Sequence, residues 1–553
     1  MKANTQYALR LLALGAAGLL CSFIGARQSN AGESSALTGV VSSDQEPQME
    51  GVLVSAKKVS GNITVTVVSD SEGRYSFPGS RLQPGKYHMS VRAVGYDLAD
   101  LGEIEVLAKK TTQKNLKLQT TAHLAEQLSN IEWMMSIPGT LEQKKSATCM
   151  FNCHSPGVAL ASKYDARAFL PVLNRMHNYF QGSFYVPGVV RLAVPNVFKA
   201  PPNPRDPKLA EYLSSINLSS STDGKWKYDL QTLPRPRGKS TRVIITEYDT
   251  PRREFEPHDV AVDAEGMIWT ADFGGPYLAR LNPRTGEIKE WEVPNLKPDQ
   301  PGSALDLQFD KDDNPWFSMM DQGGLAKFDK KTEKISTWSV PEEYNNEHAR
   351  TGMVAISADG LVWFKDSGNA RVYRLNPKTN HMDAYHLPSE FYGMRLDSQG
   401  NLFLSSLEKG TIGRIDAETG TISVYPTPTP DSGAHRGEMD GHDRYWFAES
   451  HPGQIGMFDT RTQQFKEWPL PFKEWSDPYE ASPEKNGDIV WAAGETTDYV
   501  YRLDPKTGQV TSYLLPSIQA NFRRVTVDNS TNPVTVWIGE NHQGKIAKLE
   551  VLE

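Results

Sequence analysis

The stretch GMIWTAD, residues 266–272, recurs in altered form six more times further along the chain. Each copy holds an aromatic residue among apolar ones, and a second pair of alternating segments with a D/N-P-x-T-G type turn follows most copies. Four short strands per repeat is the pattern of a β-propeller blade, so the sequence predicts a seven-bladed propeller over residues 242–553. The aligned aromatic residues, 40 to 47 positions apart, are Trp269, Trp316, Trp363, Phe403, Trp446, Trp491 and Trp537.

The two ends of this region predict how the ring of blades closes. The last repeat runs to residue 553 and lacks its outermost strand, whereas RVIITEYDTP, residues 242–251, precedes the first repeat. We expect residues 242–251 to complete the final blade, because this pairing removes an exposed sheet edge.

Residues 36–118 read as short strands in which apolar and polar residues alternate between Gly, Pro and Asp turns, the pattern of a small β-sandwich. The segments SDSEGRYSF, residues 69–77, and LQPGKYHMSVRAVGY, residues 82–96, resemble the carboxypeptidase regulatory-like family. The resemblance implies a transthyretin-like sandwich without catalytic function, which serves adhesion, stability or docking.

The N-terminus has the features of a secretory signal. Lys2 and Arg10 precede an apolar run at 11–26, and small residues at Ser29–Ala31 offer a cleavage site near Ala31. We therefore expect residues 1–31, including Cys21, to be removed and the mature protein to be exported. No later segment is apolar for long enough to be a transmembrane helix. A periplasmic location follows from this expectation.

Charge and composition narrow the classes of function. The formal net charge of −8 gives no basic footprint for nucleic acid. The 43 glycines and 36 prolines are typical of a turn-rich β protein.

In residues 120–217 the strand pattern gives way to helical patterns, which predict a small helical domain. Asp206 is expected as the N-cap of a helix with Pro207 at its first position, and residues 164–180 also carry a helical stripe although Pro171 interrupts it. Residues 218–241 read as a polar linker rich in Pro and Gly. The apolar stripes consist of Leu209, Tyr212, Leu213 and Ile216, and of Phe169, Leu173, Met176 and Phe180.

The helical domain contains SATCMFNCHSPG, residues 146–157, in which Cys149, Cys153 and His154 lie close together. Two thiols followed by a histidine suit covalent haem attachment, in which each thiol adds to a vinyl group and the imidazole binds the iron. Residues 122–217 resemble a small c-type cytochrome domain, with three residues between the cysteines instead of the common two. The resemblance implies haem c, with His154 as proximal iron ligand and electron transfer to a redox partner.

The sixth iron ligand has several candidates. Met176 is the first, since its NRMHNY context is similar to the methionine-containing helix of small haem domains, and core packing is the alternative role for it. His177, His123 or an open position are the other options. For the cysteines themselves, a disulfide, a free thiol pair or a zinc site with a further ligand are the alternatives to haem.

Two repeats place a histidine and an acid at matched positions. His258 and Asp272 flank the first strand pair of one repeat, and His435 and Glu449 flank that of another with the same separation. Because these strands form a hairpin, each pair is expected at one open end of the propeller near its axis. A histidine beside a carboxylate can act as a general base, and clustered acids can hold a hard cation. The alternative is a hairpin-closing hydrogen bond, with the acids capping turns.

This repeat resembles the streptogramin (virginiamycin B) lyase family, whose PH…D…WF..E pattern matches His435 and Glu449 and, more loosely, His258 and Asp272. The resemblance implies a propeller that opens a cyclic depsipeptide by elimination, with His435 as general base, Glu449 and a Mg²⁺ ion. The second functional histidine of that family falls on Tyr392 here.

Three functions follow from these features. The first is an exported c-type haem protein for electron transfer, whose propeller binds a substrate or a partner protein. The second is a metal-dependent lyase that uses His435 and Glu449. The third is a binding or scaffold protein without catalysis, in which a disulfide takes the place of haem.

Overall fold

The computed structural model describes residues 34–148, 154–176, 203–221 and 224–552. The expected signal peptide and its cleavage point near Ala31, Cys149, Cys153, His177 and Phe180 lie outside these residues. Within the described chain the protein is mainly β, and its α-helices all fall between residues 124 and 216. None of these helices has the length and apolar character that a membrane crossing requires.

The N-terminal region forms the predicted β-sandwich. Alternation builds it: in RYSFP, Tyr75 and Phe77 are buried whereas Arg74 and Ser76 are exposed. One sheet has the order β4-β1-β9-β6 with β8 beside β1, and the other contains β3-β2-β5-β7. The strands are β1 Ser35–Ser43, β2 Leu53–Lys58, β3 Ile63–Val68, β4 Arg74–Pro78, β5 Gly85–Arg92, β6 Tyr96–Leu98, β7 Glu103–Val106, β8 Thr112–Gln113 and β9 Leu116–Thr120.

Six short α-helices follow in the described residues: α1 Leu124–Gln127, α2 Asn130–Ser136, α3 Leu141–Ser146, α4 Pro156–Leu160, α5 Ala166–Met176 and α6 Asp206–Ile216. Ser129 and Thr140 close capping boxes at the starts of α2 and α3. Trp133 and Leu213 are central to the helical core. The expected N-cap is wrong by one position. Arg205 occupies the N-cap position of α6 without a side-chain capping bond, and a local turn, in which the N–H groups of Arg205 and Asp206 donate to Asn203, makes Asp206 the first helical residue.

The propeller forms as seven four-stranded antiparallel units within the described residues, which confirms the repeat prediction. The first three are β11 Pro257–Val262, β12 Ile268–Asp272, β13 Tyr277–Leu281, β14 Ile288–Glu292; β15 Leu307–Phe309, β16 Pro315–Met319, β17 Gly324–Asp329, β18 Lys334–Ser339; β19 Thr351–Ile356, β20 Val362–Asp366, β21 Arg371–Asn376 and β22 His381–His386. The next three are β23 Gly393–Leu396, β24 Leu402–Ser406, β25 Thr411–Ile415, β26 Ile422–Pro426; β27 Ala434–Met439, β28 Arg444–Glu449, β29 Gln454–Asp459, β30 Gln464–Pro469; β31 Pro478–Pro483, β32 Val490–Gly494, β33 Tyr499–Asp504 and β34 Gln509–Leu514. The seventh is β35 Val525–Asp528, β36 Thr535–Glu540, β37 Lys545–Val551 and β10 Val243–Asp249.

Three of the repeated tryptophans, Trp269, Trp316 and Trp446, each donate a hydrogen bond to the aspartate six residues earlier. The indole Nε1 of Trp269 donates to Asp263 Oδ2 at 2.8 Å, and that of Trp446 donates to Asp440 Oδ2 at 2.8 Å. Each acceptor lies in the turn between the first two strands of its blade. The buried Trp269 ring also stacks on Trp291 of the outer strand, with 5.5 Å between ring centroids. The turn, the second strand and the fourth strand of a blade are thus held by one side chain.

Strand β10 closes the ring as predicted, since it pairs antiparallel with β37 from Val243↔Val551 to Asp249↔Lys545. Its other edge pairs antiparallel with β3 of the sandwich, from Ile244↔Val67 to Tyr248↔Ile63. One continuous sheet therefore runs from the seventh blade into the sandwich, in the order β35-β36-β37-β10-β3-β2-β5-β7.

A buried arginine reinforces this junction. Arg92 of the sandwich donates to the carbonyl oxygens of Leu515 and Ser517, each at 2.7 Å, and to Asp498 Oδ2 at 2.9 Å. The Arg92 and Asp498 side chains are only 5% and 1% exposed. The sandwich and the sixth blade are thus joined by a desolvated ion pair in which both terminal nitrogens of Arg92 donate hydrogen bonds.

The segment expected as a linker is also fixed against both neighbours. The Leu233 N–H donates to Glu132 Oε1 at 2.8 Å, and the Gln231 N–H donates to Ser136 Oγ at 2.7 Å. Arg235 donates from Nη2 to both carboxylate oxygens of Glu46, at 2.7 and 2.6 Å. These bonds tie α2 and the sandwich to the chain that leads into β10.

Arg92→Ala is expected to lower the free energy of unfolding by about 3 kcal/mol or more, because it leaves the Asp498 carboxylate buried without its cation. Thermal and denaturant unfolding followed by circular dichroism would measure this loss. Arg74→Ala is the matched control, since its ion pairs are exposed and contribute less than about 1 kcal/mol. Equal unfolding curves for the two variants would contradict an energetic role for the junction.

Candidate functional site

Residues at the start of the innermost strands meet around the propeller axis at one end. The centroid of the His435 ring lies 4.0 Å from that of the Tyr479 ring and 4.7 Å from that of the Tyr392 ring. The centroids of the His258 and Tyr479 rings are 6.0 Å apart. These residues come from four different blades, so their contacts cross the axis. Arg523 of the seventh blade lies over the Tyr479 ring, 6.0 Å from its centroid. We call His258, Tyr392, His435, Tyr479 and Arg523 the rim cluster.

A network of buried charges lies directly below the rim cluster. Arg436 contacts Asp259 at 2.8 Å and Glu480 at 3.0 Å. Arg524 contacts Asp306 at 3.0 Å. A second layer adds Arg395, 2.7 Å from Glu438 and 3.1 Å from Asp306. We call Asp259, Asp306, Arg395, Arg436, Glu438, Glu480 and Arg524 the axial charge network.

A cavity of about 1300 Å³ lies between the helical region and the propeller. Lys145, Thr148 and Tyr212 line it from the helices. The sixth blade contributes the acids Asp477 and Glu495, and His435 is the one member of the rim cluster among its described lining residues. The helices thus cover the rim end of the propeller and leave a large recess beneath them.

His435 is a neutral imidazole that faces this cavity. Burial and the neighbouring charges of Arg436 and Arg523 hold its pKa well below the ordinary value. Its side chain makes no hydrogen bond to another described residue, and only 8% of the residue is exposed. An unprotonated imidazole in such a position can accept a proton or a hydrogen bond from a ligand.

Glu449 lies apart from this imidazole. Although Ala434 pairs with Glu449 in the strand register, no hydrogen bond joins Glu449 to His435 within the described residues. Gln454 Nε2 instead donates to Glu449 Oε2 at 2.6 Å. Burial raises the pKa of Glu449 to about 7, and the neighbouring Glu467 carboxylate acts in the same direction. The hairpin-closing bond of the alternative interpretation is therefore absent between these two described side chains, and of this pair only His435 lines the cavity.

The second predicted pair is separated in a similar way. His258 Nδ1 lies 2.8 Å from Asp259 Oδ1, in contact with the axial charge network. Asp272 Oδ1 accepts hydrogen bonds from the N–H groups of Glu256, at 3.0 Å, and Gly274, at 2.9 Å. Burial raises the pKa of Asp272 to about 6. Asp272 therefore caps a turn, as the alternative interpretation expected for these acids.

The described residues contain no group of three His, Cys, Asp or Glu side chains that could hold a metal ion. The Mg²⁺ expected from the lyase resemblance stays a prediction.

The haem-related residues that the structure describes lie in the helical region. His154 is buried before α4, with Nδ1 2.8 Å from the Ser155 carbonyl oxygen. Met176 ends α5 and packs against the helical core. His123 is exposed, with Nδ1 3.5 Å from Glu126 Oε1. Attachment at Cys149 and Cys153 stays a prediction, because both residues lie outside the described chain.

Sequence reasoning missed two acids of the cavity, Asp477 and Glu495. Glu495 lies one residue beyond the position that Asp272 and Glu449 occupy, which Gly494 takes in the sixth blade, so the repeat carried only an offset signal. Asp477 precedes the first strand of that blade, as Glu256 does in the first blade, and a proline follows each of them. The sequence indicated the axial charge network only weakly, through the charged residues that stand next to the predicted rim positions.

Comparisons with known proteins support the two β regions. Residues 36–119 match the carboxypeptidase regulatory-like domain family. A selenomethionine-substituted virginiamycin B lyase from Staphylococcus aureus is 21% identical, with a TM-score of 0.50 over 56% of this chain and 99% of that chain. A catalytically inactive histidine-to-alanine variant of that enzyme with quinupristin gives the same values. A streptogramin B lyase structure is also 21% identical, with a TM-score of 0.50 over 57% and 99% of the two chains. No curated protein matches this chain.

At this identity the structural similarity establishes the propeller fold and leaves the activity open. The expected resemblances to the carboxypeptidase regulatory-like and streptogramin lyase families are confirmed at the level of domain and fold.

Glu449→Gln is expected to stabilise the protein at pH 8 and to have little effect at pH 4. The unfolded carboxyl ionises near its ordinary pKa of 4.5, whereas the folded one ionises only near 7. Wild-type stability therefore falls as the pH rises between these values, by up to about 3 kcal/mol, and glutamine avoids this loss. Unfolding midpoints of both proteins from pH 4 to pH 8 would test it; a difference that does not vary with pH would contradict the raised pKa.

Proposed function

We propose that this chain is an exported electron-transfer protein that carries haem c at Cys149 and Cys153 and binds a substrate or a redox partner at the propeller rim. The Cys–Cys–His motif supports the haem, and the N-terminal signal features support export, where c-type haem proteins mature. When bound, the haem supplies one-electron transfer.

His154 suits the role of proximal iron ligand. A carbonyl oxygen can only accept a hydrogen bond, so the contact with Ser155 places the proton of a neutral His154 on Nδ1. The lone pair then resides on Nε2, the atom that proximal imidazoles direct to iron. Burial of His154 and a helical core around Trp133 and Leu213 also favour exclusion of water. Met176 and His123 remain the described candidates for the sixth ligand.

One cavity links the two halves of the proposed function. Thr148, which directly precedes Cys149 in the chain, lines the same cavity as His435 of the propeller. Cys149, the next residue in the chain, is the first of the two proposed attachment sites. This shared cavity is the observation on which the proposal chiefly rests.

Expression of the full chain with its signal, in a host that matures c-type cytochromes, should yield a mature protein that begins near Gly32 and carries a covalent haem. Intact mass and the spectrum of the reduced, denatured protein measure both properties. Cys149→Ala and Cys153→Ala should lose one thioether each and shift that spectrum, whereas Cys21→Ala should not. A mature mass without adduct, together with a Cys149–Cys153 disulfide, would overturn the haem and favour the scaffold function.

Lyase activity at the propeller is the second candidate function, and the neutral His435 facing the cavity favours it. The acidic partner does not contact this imidazole, and Tyr392 stands where the lyase family has its second histidine, so we rank this function below electron transfer. If the function holds, quinupristin should be converted to a linear isomer of unchanged mass, because elimination adds no water.

His435→Ala should abolish that conversion, followed by chromatography and mass spectrometry. His451→Ala is the matched control, since His451 lines the same cavity with Nδ1 hydrogen-bonded to the Asp431 carbonyl oxygen. Recovery of intact quinupristin from the wild-type protein would exclude streptogramin-type lyase activity.

A further inference from the structure

We propose that the acidic side of the cavity is a binding site for an organic ligand with a protonated amine, held by Asp477 and Glu495 beside His435. This inference rests on the ligand-binding half of the proposed function and is independent of haem.

The two acids are brought together by the sixth blade. Asp477 directly precedes β31 and Glu495 directly follows β32, and the Glu495 N–H donates to the Asp477 carbonyl oxygen at 3.2 Å. Both side chains line the cavity. Two carboxylates are thus presented to one recess from the two ends of a hairpin.

Their charges are only partly compensated by the protein. Arg523 Nε contacts Glu495 Oε1 at 3.1 Å, so this arginine neutralises one carboxylate. Asp477 forms no salt bridge with another described residue, and its side chain accepts a hydrogen bond from the Thr496 hydroxyl at 3.2 Å. Asp477 therefore has no cation in salt-bridge contact within the described residues, although Lys145 acts on it from a greater distance, and a cationic ligand would supply such a contact.

His435 is a second, independent indication of a ligand. It is more than nine-tenths buried, lines the same cavity and makes no side-chain hydrogen bond with another described residue. Buried polar groups of folded proteins are nearly always hydrogen-bonded, so such an imidazole is expected to bond a molecule in the recess. A neutral imidazole can accept from an ammonium N–H or donate to an oxygen of the same ligand.

The dimensions and donors of the recess favour an organic cation over a metal ion. The described acids and histidines do not form a group of three that could hold a metal. A cavity of about 1300 Å³ also far exceeds the needs of an ion and is large enough for an organic molecule.

Protonation of Asp477 should compete with the ligand. Burial and the Glu495 charge raise the pKa of Asp477 to about 7, while Lys145 of α3 opposes this rise from across the cavity. His435 and His451 are the titratable imidazoles of the same recess, and the former is already neutral. Below pH 7 the Asp477 charge is lost, and above pH 7 it is present, so affinity for a cation should rise with pH.

Calorimetric titration of the full-length protein with 2-phenylethylamine tests the site, with neutral 2-phenylethanol as the matched compound. We expect the amine to bind at pH 8, to bind about tenfold more weakly at pH 6, and to bind more tightly than the alcohol. Equal binding of amine and alcohol, or no binding of the amine, would overturn the site.

Asp477→Asn and Glu495→Gln should each weaken amine binding at pH 8 about tenfold. Asparagine is suited to position 477 because it tolerates the left-handed backbone there, where φ is 40°. Glu211→Gln, which alters an exposed acid of the same cavity, should leave affinity within about twofold. Variants with wild-type melting curves but unchanged amine affinity would refute the role of the acid pair.

Haem content is measured on the same samples, so the two proposals can fail separately. If the protein lacks haem but binds the amine in this manner, the amine site stands and the electron-transfer proposal fails. If the protein carries haem but does not bind the amine, the amine site fails and the electron-transfer proposal stands.

Discussion

Hydrogen bonding along both edges of β10 is the constraint on which the whole chain depends. One edge supplies the outermost strand of the seventh blade, and the other edge continues into β3 of the sandwich. An unpaired edge would expose a row of backbone donors and acceptors, whereas here both rows are satisfied. Ring closure and attachment of the N-terminal region therefore depend on the same seven residues. The buried Arg92 contacts then fix the sandwich against the sixth blade, and the segment before β10 is bonded to α2.

The repeating parts of the fold could be predicted, because the residues within each repeat determine the strands and turns of that blade. An aspartate six residues before a tryptophan marks the turn and the second strand, as Asp263 and Trp269 illustrate. The pairing of β10 with β3 could not be predicted in this way. The two strands lie far apart in sequence, and an apolar strand such as VIITEYD contains no information about which second edge it will meet. The helix boundary at Asp206 was missed for a different, local reason, since the N–H groups of Arg205 and Asp206 bond Asn203 in the preceding turn.

The candidate site could be predicted in part. The repeat placed His435 near the axis, and the structure confirms that position. The repeat did not show that Glu449 would accept a hydrogen bond from Gln454 within its own blade, because the direction of a side chain at a strand end depends on neighbouring packing. Nor could spacing show that the helices cover the rim and bring Lys145 opposite Asp477. The electrostatic character of the recess results from this cover, since burial keeps His435 neutral and raises the pKa of Asp477.

The axial charge network also affects how a small molecule can reach the rim cluster. Arg436, Asp306 and Glu480 are fully buried and interlock residues of different blades across the axis. Among the described residues, these ion-paired side chains occupy the centre of the ring below the rim cluster. A small molecule bound at the rim would therefore meet a buried, charged layer beneath it and would enter and leave on the rim side.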